Sequence, residues 1–371
     1  MRVLQLMSCR GWSSDAYWAA RITCELQARG HRVTLGCRRG TETHVIDRAR
    51  REGVADISTF QFSGGVDPRG DVEDVRRLRG ALHAADVVHV HRGKEHWLAA
   101  VANALEGARR PLVRTRHIAQ AVRAHAGNRW LYRRATSLVI TVTDAIRGQY
   151  VAAGLVPSER VAVLQGGADA EMYQPRPPDP TVRQVVGGTP GVPLVGMVGG
   201  LRVMKGHGVV VEAAARLAAR GIRPRFAFVG GGAMESAIAG MIARAGLEAQ
   251  FTMAGWISDL PGVMSALDIA LYVPLESDGM SRVVFEYLAA GRPLIASRVG
   301  VVPEVLADGR HAALVPGGDA GSLADALERL LADAPLRARL GENGRALVLE
   351  RYSGARVAAA LEGHYVRLLA A

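Results

Sequence analysis

Short apolar runs alternate with longer amphipathic segments along most of the chain. In the first half, most apolar runs lead into a segment of helical spacing, and these runs are VLQLM, HRVTLG, DVVHVH, PLVRT and SLVITV. Apolar runs of this length are typical of parallel strands buried on both faces, and the segments between them are typical of crossover helices. The pattern predicts a doubly wound α/β sheet.

The alternation stops at residues 174–192, which are rich in Pro and Gly and typical of a linker. It restarts with the runs PLVGMVGG, RFAFVGGG, QFTMAG, DIALYV and RPLIAS. We therefore predict parallel-sheet domains over 1–173 and 193–350, followed by a C-terminal helix over 351–371. This helix either packs at the surface or crosses back to the first domain.

The chain length of 371 residues agrees with two domains that each bury a full core. Two tandem α/β domains leave a cleft between them, and ligands of open parallel sheets bind at the carboxyl ends of the strands. Residues directly after the strands are therefore the candidates for chemistry.

Positive charge is concentrated in the N-terminal half of a chain whose formal net charge is +11. Residues 1–170 contain 26 Arg or Lys against 16 Asp or Glu, and residues 107–134 contain eight arginines and no acid. Such a surface attracts phosphates on nucleic acid, membrane or substrate, unless the arginines merely lie on solvated helix faces. Only Trp130 and Tyr132 interleave with this cluster, which disfavours nucleic acid.

The three cysteines are odd in number and form no CxxC pair. This disfavours a disulfide framework or a zinc site and favours a reducing cytosol. The apolar run at the start is too short for a signal peptide, and no later run reaches the length of about 18 apolar residues that indicates a spanning helix. We expect any membrane contact to be peripheral.

Two cations follow the run PLVGMVGG. Arg202 and Lys205 lie in a loop that leads to a helix beginning near His207. Cations beside a helix N-terminus suit a diphosphate, although both side chains could also be solvated. The later FVGGGAMES turn either approaches a ligand or is only a tight turn.

The stretch SDGMSRVVFEYLAAGRP places carboxylates around a predicted helix that Ser281 can cap and that stops at Gly291. Glu286 lies one turn inside this helix. An ionised carboxylate among apolar neighbours costs free energy there unless hydrogen-bond donors pair with it. A ribose with two adjacent hydroxyls would satisfy it, and so would a buried salt bridge to an arginine. Asp278 precedes the helix, where the N–H groups of residues 279–282 would point at an anion.

In the first half, the turn SCRGWSSDAYW follows the first strand but lacks the GxGxxG fingerprint, which disfavours a nicotinamide-dependent dehydrogenase. His89 at the end of DVVHVH is most simply a structural histidine. His117 follows PLVRTR, so its ring either faces the cleft or caps the strand.

These residues resemble the retaining GT-B glycosyltransferases of family 4. DGMSRVVFEYLAAGRPLIAS is similar to that family's E-x7-E element, and GMVGGLRVMKGHG is similar to its donor-phosphate loop. VLQGGADAEMYQP resembles its strand end before the linker, and MAGWISDLPGVMSALDIALYVPLES resembles its nucleotide-base segment. The resemblance implies the GT-B architecture, with the acceptor bound mainly by the first Rossmann-like domain and a nucleotide-sugar donor by the second.

The resemblance also implies roles for single residues. Glu286 would hold the donor ribose, and Asp278 would contact the sugar hydroxyls. Arg202 and Lys205 would neutralise the departing diphosphate, and His117 would lie near the sugar. The remaining donor-binding positions that it implies are Gly11, Trp12, Gly200, Trp256, Ile257, Gly279, Met280, Ser281 and Arg282.

The chain departs from the family pattern at three places. The first carboxylate is Asp278 rather than Glu, which bears on sugar preference. Gly200 stands where an arginine is usual, so Arg202 would replace that arginine. Ser13 and Ser14 replace two glycines, which leaves the approach of this loop to phosphate open.

The function that the resemblance implies is a cytoplasmic glycosyltransferase that needs no cofactor and no metal, since no Asp-x-Asp motif is present. We predict a glycan or lipid-linked acceptor of the lipopolysaccharide or polysaccharide type, with contact to an anionic membrane on its inner face. The surface of the protein that contacts the acceptor or the membrane would be formed by Arg114, Arg116, Arg123, Arg129, Arg133 and Arg134. The alternatives are a small soluble acceptor and a nucleotide-sugar-binding scaffold without activity.

Overall fold

The computed structural model describes residues 1–107, 110–277 and 279–371. Contacts within the chain divide it into two compact units. The first unit contains residues 1–167 and 354–371, and the second contains residues 168–353. Each unit has its own parallel sheet.

The sheet of the first unit follows the strand order β3-β2-β1-β4-β5-β6-β7, with every adjacent pair parallel. Its strands are β1 (Arg2–Met7), β2 (Arg32–Arg38), β3 (Ile57–Phe60), β4 (Val87–Val90), β5 (Leu112–Arg116), β6 (Leu138–Thr141) and β7 (Val161–Val163). All four residues of β4 and of β6 are buried, as expected for central strands with helices on both faces.

The sheet of the second unit follows the order β10-β9-β8-β11-β12-β13 and is also parallel. Its strands are β8 (Leu194–Val198), β9 (Arg225–Val229), β10 (Phe251–Gly255), β11 (Ile269–Tyr272), β12 (Leu294–Ser297) and β13 (Ala313–Val315). The predicted class, two α/β domains with parallel sheets, is confirmed.

Helices connect the strands of both sheets. Those of the first unit are α1 (Ser14–Ala28), α2 (Asp47–Arg51), α3 (Pro68–His83), α4 (Gly93–Leu105), α5 (Ala126–Trp130) and α6 (Asp144–Ala152). Those of the second are α7 (Pro180–Val185), α8 (His207–Ala219), α9 (Glu235–Arg244), α10 (Leu260–Ala266), α11 (Arg282–Ala289), α12 (Val302–Val305), α13 (Ala320–Ala332) and α14 (Ala334–Leu347).

The segment 174–192 belongs to the second unit and contains the short helix α7. Arg183 on this helix donates to the carbonyl of Ala266 at 2.6 Å and to the carboxylate of Asp268 at 2.8 Å. These bonds explain why a stretch rich in Pro and Gly is ordered against the second sheet.

The last helix, α15 (Gly354–Ala370), belongs to the first unit and packs against α1. Val357, Leu361 and Tyr365 recur every four residues on its buried face. Glu362 pairs with Arg29 at the end of α1. This helix brings the Tyr365 hydroxyl to the first sheet.

Candidate active site

The turn after β8 holds the predicted diphosphate cations. Lys205 is buried, with 9% of its surface exposed, while Arg202 is exposed. Gly206 then begins α8 with φ +80°, and a Cβ atom there would lie 2.0 Å from the carbonyl oxygen of Val273. Only glycine permits this contact, which places Lys205 directly before a helix N-terminus.

His207 follows in the first turn of α8 and is 2% exposed. Burial and the nearby Lys205 lower its pKa to about 4, against the opposing effect of the Arg202 carbonyl. Its ring packs edge-on against Phe228, with 4.9 Å between centroids. His207 is therefore neutral near pH 7, and the positive charge of this turn comes from Arg202, Lys205 and the helix dipole.

The glycine-rich turns after β8 and β9 pack backbone against backbone. The amide of Gly199 donates to Val229 O at 2.9 Å, and that of Leu201 donates to Gly231 O at 3.0 Å. A Cβ atom at Gly230 would lie 2.1 Å from the carbonyl oxygen of Gly199. Close packing of the two turns explains Gly230, and likewise Gly232, where an added Cβ would lie 2.4 Å from the carbonyl oxygen of Leu201, but it does not explain Gly231, where an added Cβ would meet no atom within 4 Å.

The turn before α11 leaves the helix start without a side-chain cap. Ser281 adopts a left-handed conformation with φ +54°, and its hydroxyl bonds the hydroxyl of Tyr272 instead of the helix. The prediction that the Ser281 side chain caps the helix was therefore wrong, because Tyr272 competes for it. Strained residues of this kind cluster at ligand clamps. Gly279 and the buried Met280 lie in the same turn. Asp278 lies outside the described residues.

Glu286 is 1% exposed on α11 and has an arginine partner. Nε of Arg282 lies 2.9 Å from Glu286 Oε1, and the Tyr173 hydroxyl also bonds the carboxylate. Burial nevertheless raises the pKa of Glu286, against the opposing effects of Arg282 and Tyr173. Glu286 thus forms the buried salt bridge that the sequence offered as one interpretation, with Arg282 of the same helix. Its role in holding a ribose stays a prediction.

Two hydrogen bonds join these parts of the second unit. The amide of Leu275 donates to Met204 O at 2.8 Å, which ties the segment after β11 to the Lys205 turn. The amide of Val198 donates to the Tyr287 hydroxyl at 2.6 Å, which ties α11 to the end of β8. The structure therefore holds the Lys205 turn, the segment before Asp278 and the Glu286 helix at one edge of the sheet.

Three further predicted donor positions lie near this edge. Trp256 follows β10 and is 70% exposed, and Ile257 beside it is half-buried. Gly200 lies in the turn after β8, where an added Cβ would meet only ordinary contacts, the nearest with Arg202 Nε at 3.7 Å.

In the first unit, the turn after β1 is held by a charged pair. Nε of Arg92 lies 2.6 Å from Asp15 Oδ2, and Nη2 of Arg92 lies 3.3 Å from Ser13 Oγ. Burial alone would raise the pKa of Asp15, but Arg92 and the other donors hold it well below its usual range. In the same turn, a Cβ atom added at Gly11 would meet no atom within 4 Å, and Trp12 packs edge-on against Tyr17.

A histidine cluster occupies the carboxyl ends of β4 and β5. His91 Nδ1 lies 3.1 Å from His117 Nε2, and His91 Nε2 lies 2.8 Å from Oε1 of Gln5 on β1. His89 stacks on His91 with 4.6 Å between ring centroids. The indole of Trp18 meets all three imidazoles at an angle.

His89 is fixed separately from the other two rings. Its Nδ1 lies 2.6 Å from the Tyr365 hydroxyl, and its Nε2 lies 2.6 Å from Thr115 Oγ1. It is fully buried, and burial lowers its pKa to about 3. Its geometry is that of a structural histidine, as the sequence indicates.

The predicted arginine surface is only partly at the surface. Arg114 is 2% exposed, because it lies inside the central strand β5, so its assignment to an acceptor or membrane surface was wrong. Arg116 is half-buried and donates to Gln120 O at 2.6 Å. The exposed members are Arg123, Arg129, Arg133 and Arg134.

Sequence reasoning missed several residues of the site. Gly206 carried a usable signal, because a glycine in a tight turn permits the positive φ and close backbone approach that other residues do not. Tyr173, Tyr287 and Gln5 carried no such signal, since their partners are distant in the sequence. Nothing local marks such a long-range hydrogen bond.

Within the residues that the structure describes, no group of three or more His, Cys, Asp or Glu side chains is placed to hold a metal ion. None of the helices in the described ranges combines the length and the apolar composition that crossing a bilayer requires.

Models of glycosyltransferase families match the sequence of both units. Residues 17–172 match the family model "Glycosyltransferase Family 4", and residues 180–347 match the model "Glycosyl transferases group 1". Two curated relatives are similar in sequence. The alpha-D-kanosaminyltransferase of Streptomyces kanamyceticus is 29% identical over 62% of this chain. The D-inositol 3-phosphate glycosyltransferase of Nocardia farcinica is 30% identical over 72% of it.

The alignments cover 61% and 63% of the length of these two relatives. Among solved structures, the Anabaena protein HepE in complex with UDP has a TM-score of 0.83 at 20% identity, covering 99% of this chain and 100% of that one. This likeness shows that the two chains share a fold.

Proposed function

The chain belongs to the family 4, or group 1, glycosyltransferases, and we infer that it transfers a sugar from a nucleoside-diphosphate donor to a hydroxyl group. We propose net retention at the anomeric carbon. The observation that carries the proposal is the edge of the second sheet, where hydrogen bonds hold together Lys205, two helix N-termini and Glu286.

The diphosphate is the part of the donor that this edge suits best. Lys205 and Arg202 supply positive charge, and α8 and α11 begin without a side-chain cap, so their first N–H groups suit an anion. Charge grows on the diphosphate as the sugar leaves, so fixed donors stabilise the transition state more than the bound donor.

Glu286 would hold the donor ribose. Its present partner, Arg282, would then have to move away from the carboxylate. The Arg282 side chain is 24% exposed while that of Glu286 is 1% exposed, so Arg282 is the partner that can turn outward. Two ribose hydroxyls could then replace the guanidinium as donors to the carboxylate, with Tyr173 retained. The buried carboxylate would stay paired in both states, which avoids the cost of leaving it alone.

We propose that the reaction needs no divalent metal, because Arg202 and Lys205 would supply the charge that a metal supplies elsewhere. The measurement is the transfer rate with and without EDTA, and we expect it to be unchanged. A rate that falls with EDTA and returns with Mg²⁺ would contradict this part of the proposal.

In the first unit, His117 would offer one ring nitrogen to a sugar hydroxyl. We propose a small hydrophilic acceptor, such as a cyclitol, an aminocyclitol or their phosphates. The names of the two curated relatives support this class, and the coverage of those relatives limits the support to a proposal. We place the reaction in the cytoplasm, where the three buried free cysteines would stay reduced.

An envelope-bound or lipid-linked acceptor is the second candidate. Four exposed arginines and Trp130, which is 37% exposed and stacked on Trp97 at 5.8 Å, suit an anionic membrane surface. Sedimentation with anionic vesicles distinguishes the two. Binding that is lost in Arg133→Ser/Arg134→Ser favours the lipid-linked acceptor, and its absence favours the small one.

A thermal-shift panel tests the donor proposal. We expect one of UDP, GDP and ADP, or a sugar derivative, to raise the melting temperature, since a ligand at about 100 times its Kd stabilises by about 2.7 kcal/mol. Glu286→Gln keeps the side-chain shape and should lose most of this shift.

Glu212→Gln is the matched control, because Glu212 forms the same type of pair with Arg216, four residues later on the exposed face of α8. Its nucleotide shift should equal that of the wild type. If no nucleotide stabilises the protein, the proposal that this edge binds the donor is wrong. If Glu286→Gln retains the full shift, only the ribose role fails.

A further inference from the structure

We propose that Gln5, acting through His91, fixes His117 in the tautomer that is protonated on Nε2 and bare on Nδ1. Gln5 and His91 are then positioning residues for His117. The consequence for sugar transfer rests on the proposed function, whereas the tautomer itself can be measured without any substrate.

Gln5, His91 and His117 form a hydrogen-bonded relay that is uncharged near pH 7. Burial is the main cause that lowers the pKa of His117 to about 4 and that of His91 well below its ordinary value. Asp15 opposes the shift at His117 but does not overcome it. Near pH 7, each ring therefore carries one N–H and one bare nitrogen. The charged and titratable groups that face the two rings are Asp15 from α1, Arg92 from the turn before α4, His89 from β4, and Arg114 and Arg116 from β5.

The acceptor at Gln5 fixes the position of each proton in the relay. Gln5 Oε1 is an amide oxygen and can only accept, so His91 Nε2, 2.8 Å away, must carry the proton. His91 Nδ1 is then bare and accepts from His117 Nε2 at 3.1 Å. The proton of His117 is thereby placed on Nε2, and its Nδ1 is left as an acceptor.

The bare Nδ1 of His117 belongs to the most exposed ring of the cluster. His117 is 8% exposed, whereas His91 is 2% exposed and His89 is fully buried. His117 is therefore the outermost ring of the cluster. A bare Nδ1 accepts from a hydroxyl donor and cannot donate to a carbonyl or phosphate oxygen. The relay thus selects for a hydroxyl at this position, which is the chemistry that a sugar presents.

The opposite arrangement would require the Gln5 amide to turn. The buried Nε2 of Gln5 has no hydrogen-bond partner among the described residues. If Nε2 instead faced His91, His91 would be protonated on Nδ1, and so would His117. The two orientations therefore place one measurable proton on opposite nitrogens of His117.

Two-bond ¹H–¹⁵N correlation spectra of the full-length protein, labelled with ¹⁵N-histidine, distinguish a bare ring nitrogen from an N–H. The chain has 11 histidines, and the His117 signals are identified by their loss in His117→Gln. At pH 7 we expect the wild type to show His117 protonated on Nε2. A proton on Nδ1 would overturn the proposal without any further variant.

Substitutions at Gln5 test its control over the ring. Gln5→Met removes the acceptor, so His91 can move its proton to Nδ1, and His117 should shift to the Nδ1–H form. Gln5→Glu, while its carboxylate is ionised, can also only accept and should keep the wild-type tautomer. Thr115→Val is the matched control, because it removes a buried bond to His89 on the same sheet face and leaves the relay intact. An unchanged His117 in Gln5→Met would refute the role of Gln5.

Transfer kinetics then separate the two proposals. With the tautomer shifted, we expect kcat/KM of Gln5→Met to fall by at least about tenfold, by analogy with a misprotonated catalytic histidine. Gln5→Glu should restore most of the rate. A shifted tautomer with an unchanged rate would keep the relay and refute the hydroxyl contact of His117. An inactive wild type with the expected tautomer would refute only the transferase proposal.

Discussion

The two units have the same kind of parallel sheet but present different chemistry at their strand ends. In the second unit, glycines bring backbone amides together, as at Gly206 and Gly230. In the first unit, large buried side chains bond one another, as in the chain from Gln5 through His91 to His117. An edge built from backbone suits phosphates, whereas an edge built from rings discriminates between donors and acceptors.

The difference has a simple physical origin. A Cβ atom at Gly206 or Gly230 would lie about 2 Å from a carbonyl oxygen, so any other residue would separate the turns. The histidines need no such approach, but they are buried, so each polar atom needs a partner from another strand. The strand ends of the second unit therefore depend on glycine at single positions. Those of the first unit depend on a network of hydrogen bonds between side chains.

The chain has two lysines, one in each unit. Replacing each of them tests this difference with the largest expected effect on the rate. Lys205→Ala removes charge from the diphosphate turn, and we expect kcat to fall about 30- to 1,000-fold, or about 2 to 4 kcal/mol of barrier. Lys94→Ala breaks a contact with Asp71 at 2.5 Å in the first unit and should leave kcat unchanged.

Steady-state rates at saturating donor give the comparison, with melting temperatures to exclude unfolding. Equal losses in the two variants would show that the lysine charge acts through stability or through the general field of the protein. An unchanged kcat in Lys205→Ala would remove the diphosphate role.

Acid should act mainly on the first unit, because four buried neutral histidines lie there, His89, His91, His96 and His117. Below pH 6.5 an unfolded histidine binds a proton, but folded His117, with its pKa lowered to about 4, does not. Unfolding free energy should therefore fall as the pH falls from about 6.5 to 4, by about 3 kcal/mol from His117 alone.

Urea unfolding at pH 7, 5.5 and 4.5 measures this slope in the wild type and in His117→Gln. The variant lacks the titrating ring, so its stability should depend less on pH. The idea fails if both proteins lose stability in parallel.

The part of the fold that local patterns specify could be predicted from the sequence. Alternation of apolar runs and helices predicted both sheets, and the pairing of Lys205 with a helix start predicted the cationic turn. Arg114 was misplaced because an arginine cluster was taken as surface, whereas it lies inside the central strand β5, where its neighbours Val113 and Thr115 are buried too. The cap at Ser281 was misjudged because Tyr272 reaches the same hydroxyl. Contacts between distant strands leave no local trace.

Gly206→Ala should cost about 2 kcal/mol of unfolding free energy, because alanine is strained at φ +80° and its Cβ meets the Val273 carbonyl. The Lys205 turn would shift from β11, so the nucleotide thermal shift should fall as well. Urea unfolding measures the first effect. A variant of wild-type stability would show that the turn can move freely.

Gly11→Ala is the matched substitution in the first unit, and we expect the smallest effect on stability. A Cβ atom there would meet no atom within 4 Å, so the unfolding free energy should stay within about 0.5 kcal/mol of the wild type. The predicted approach of Gly11 to the diphosphate would then appear only as a lower kcat/KM at unchanged melting temperature. A large loss of stability would mean that the turn after β1 packs as tightly as the turn after β8, and the contrast between the two edges would not hold.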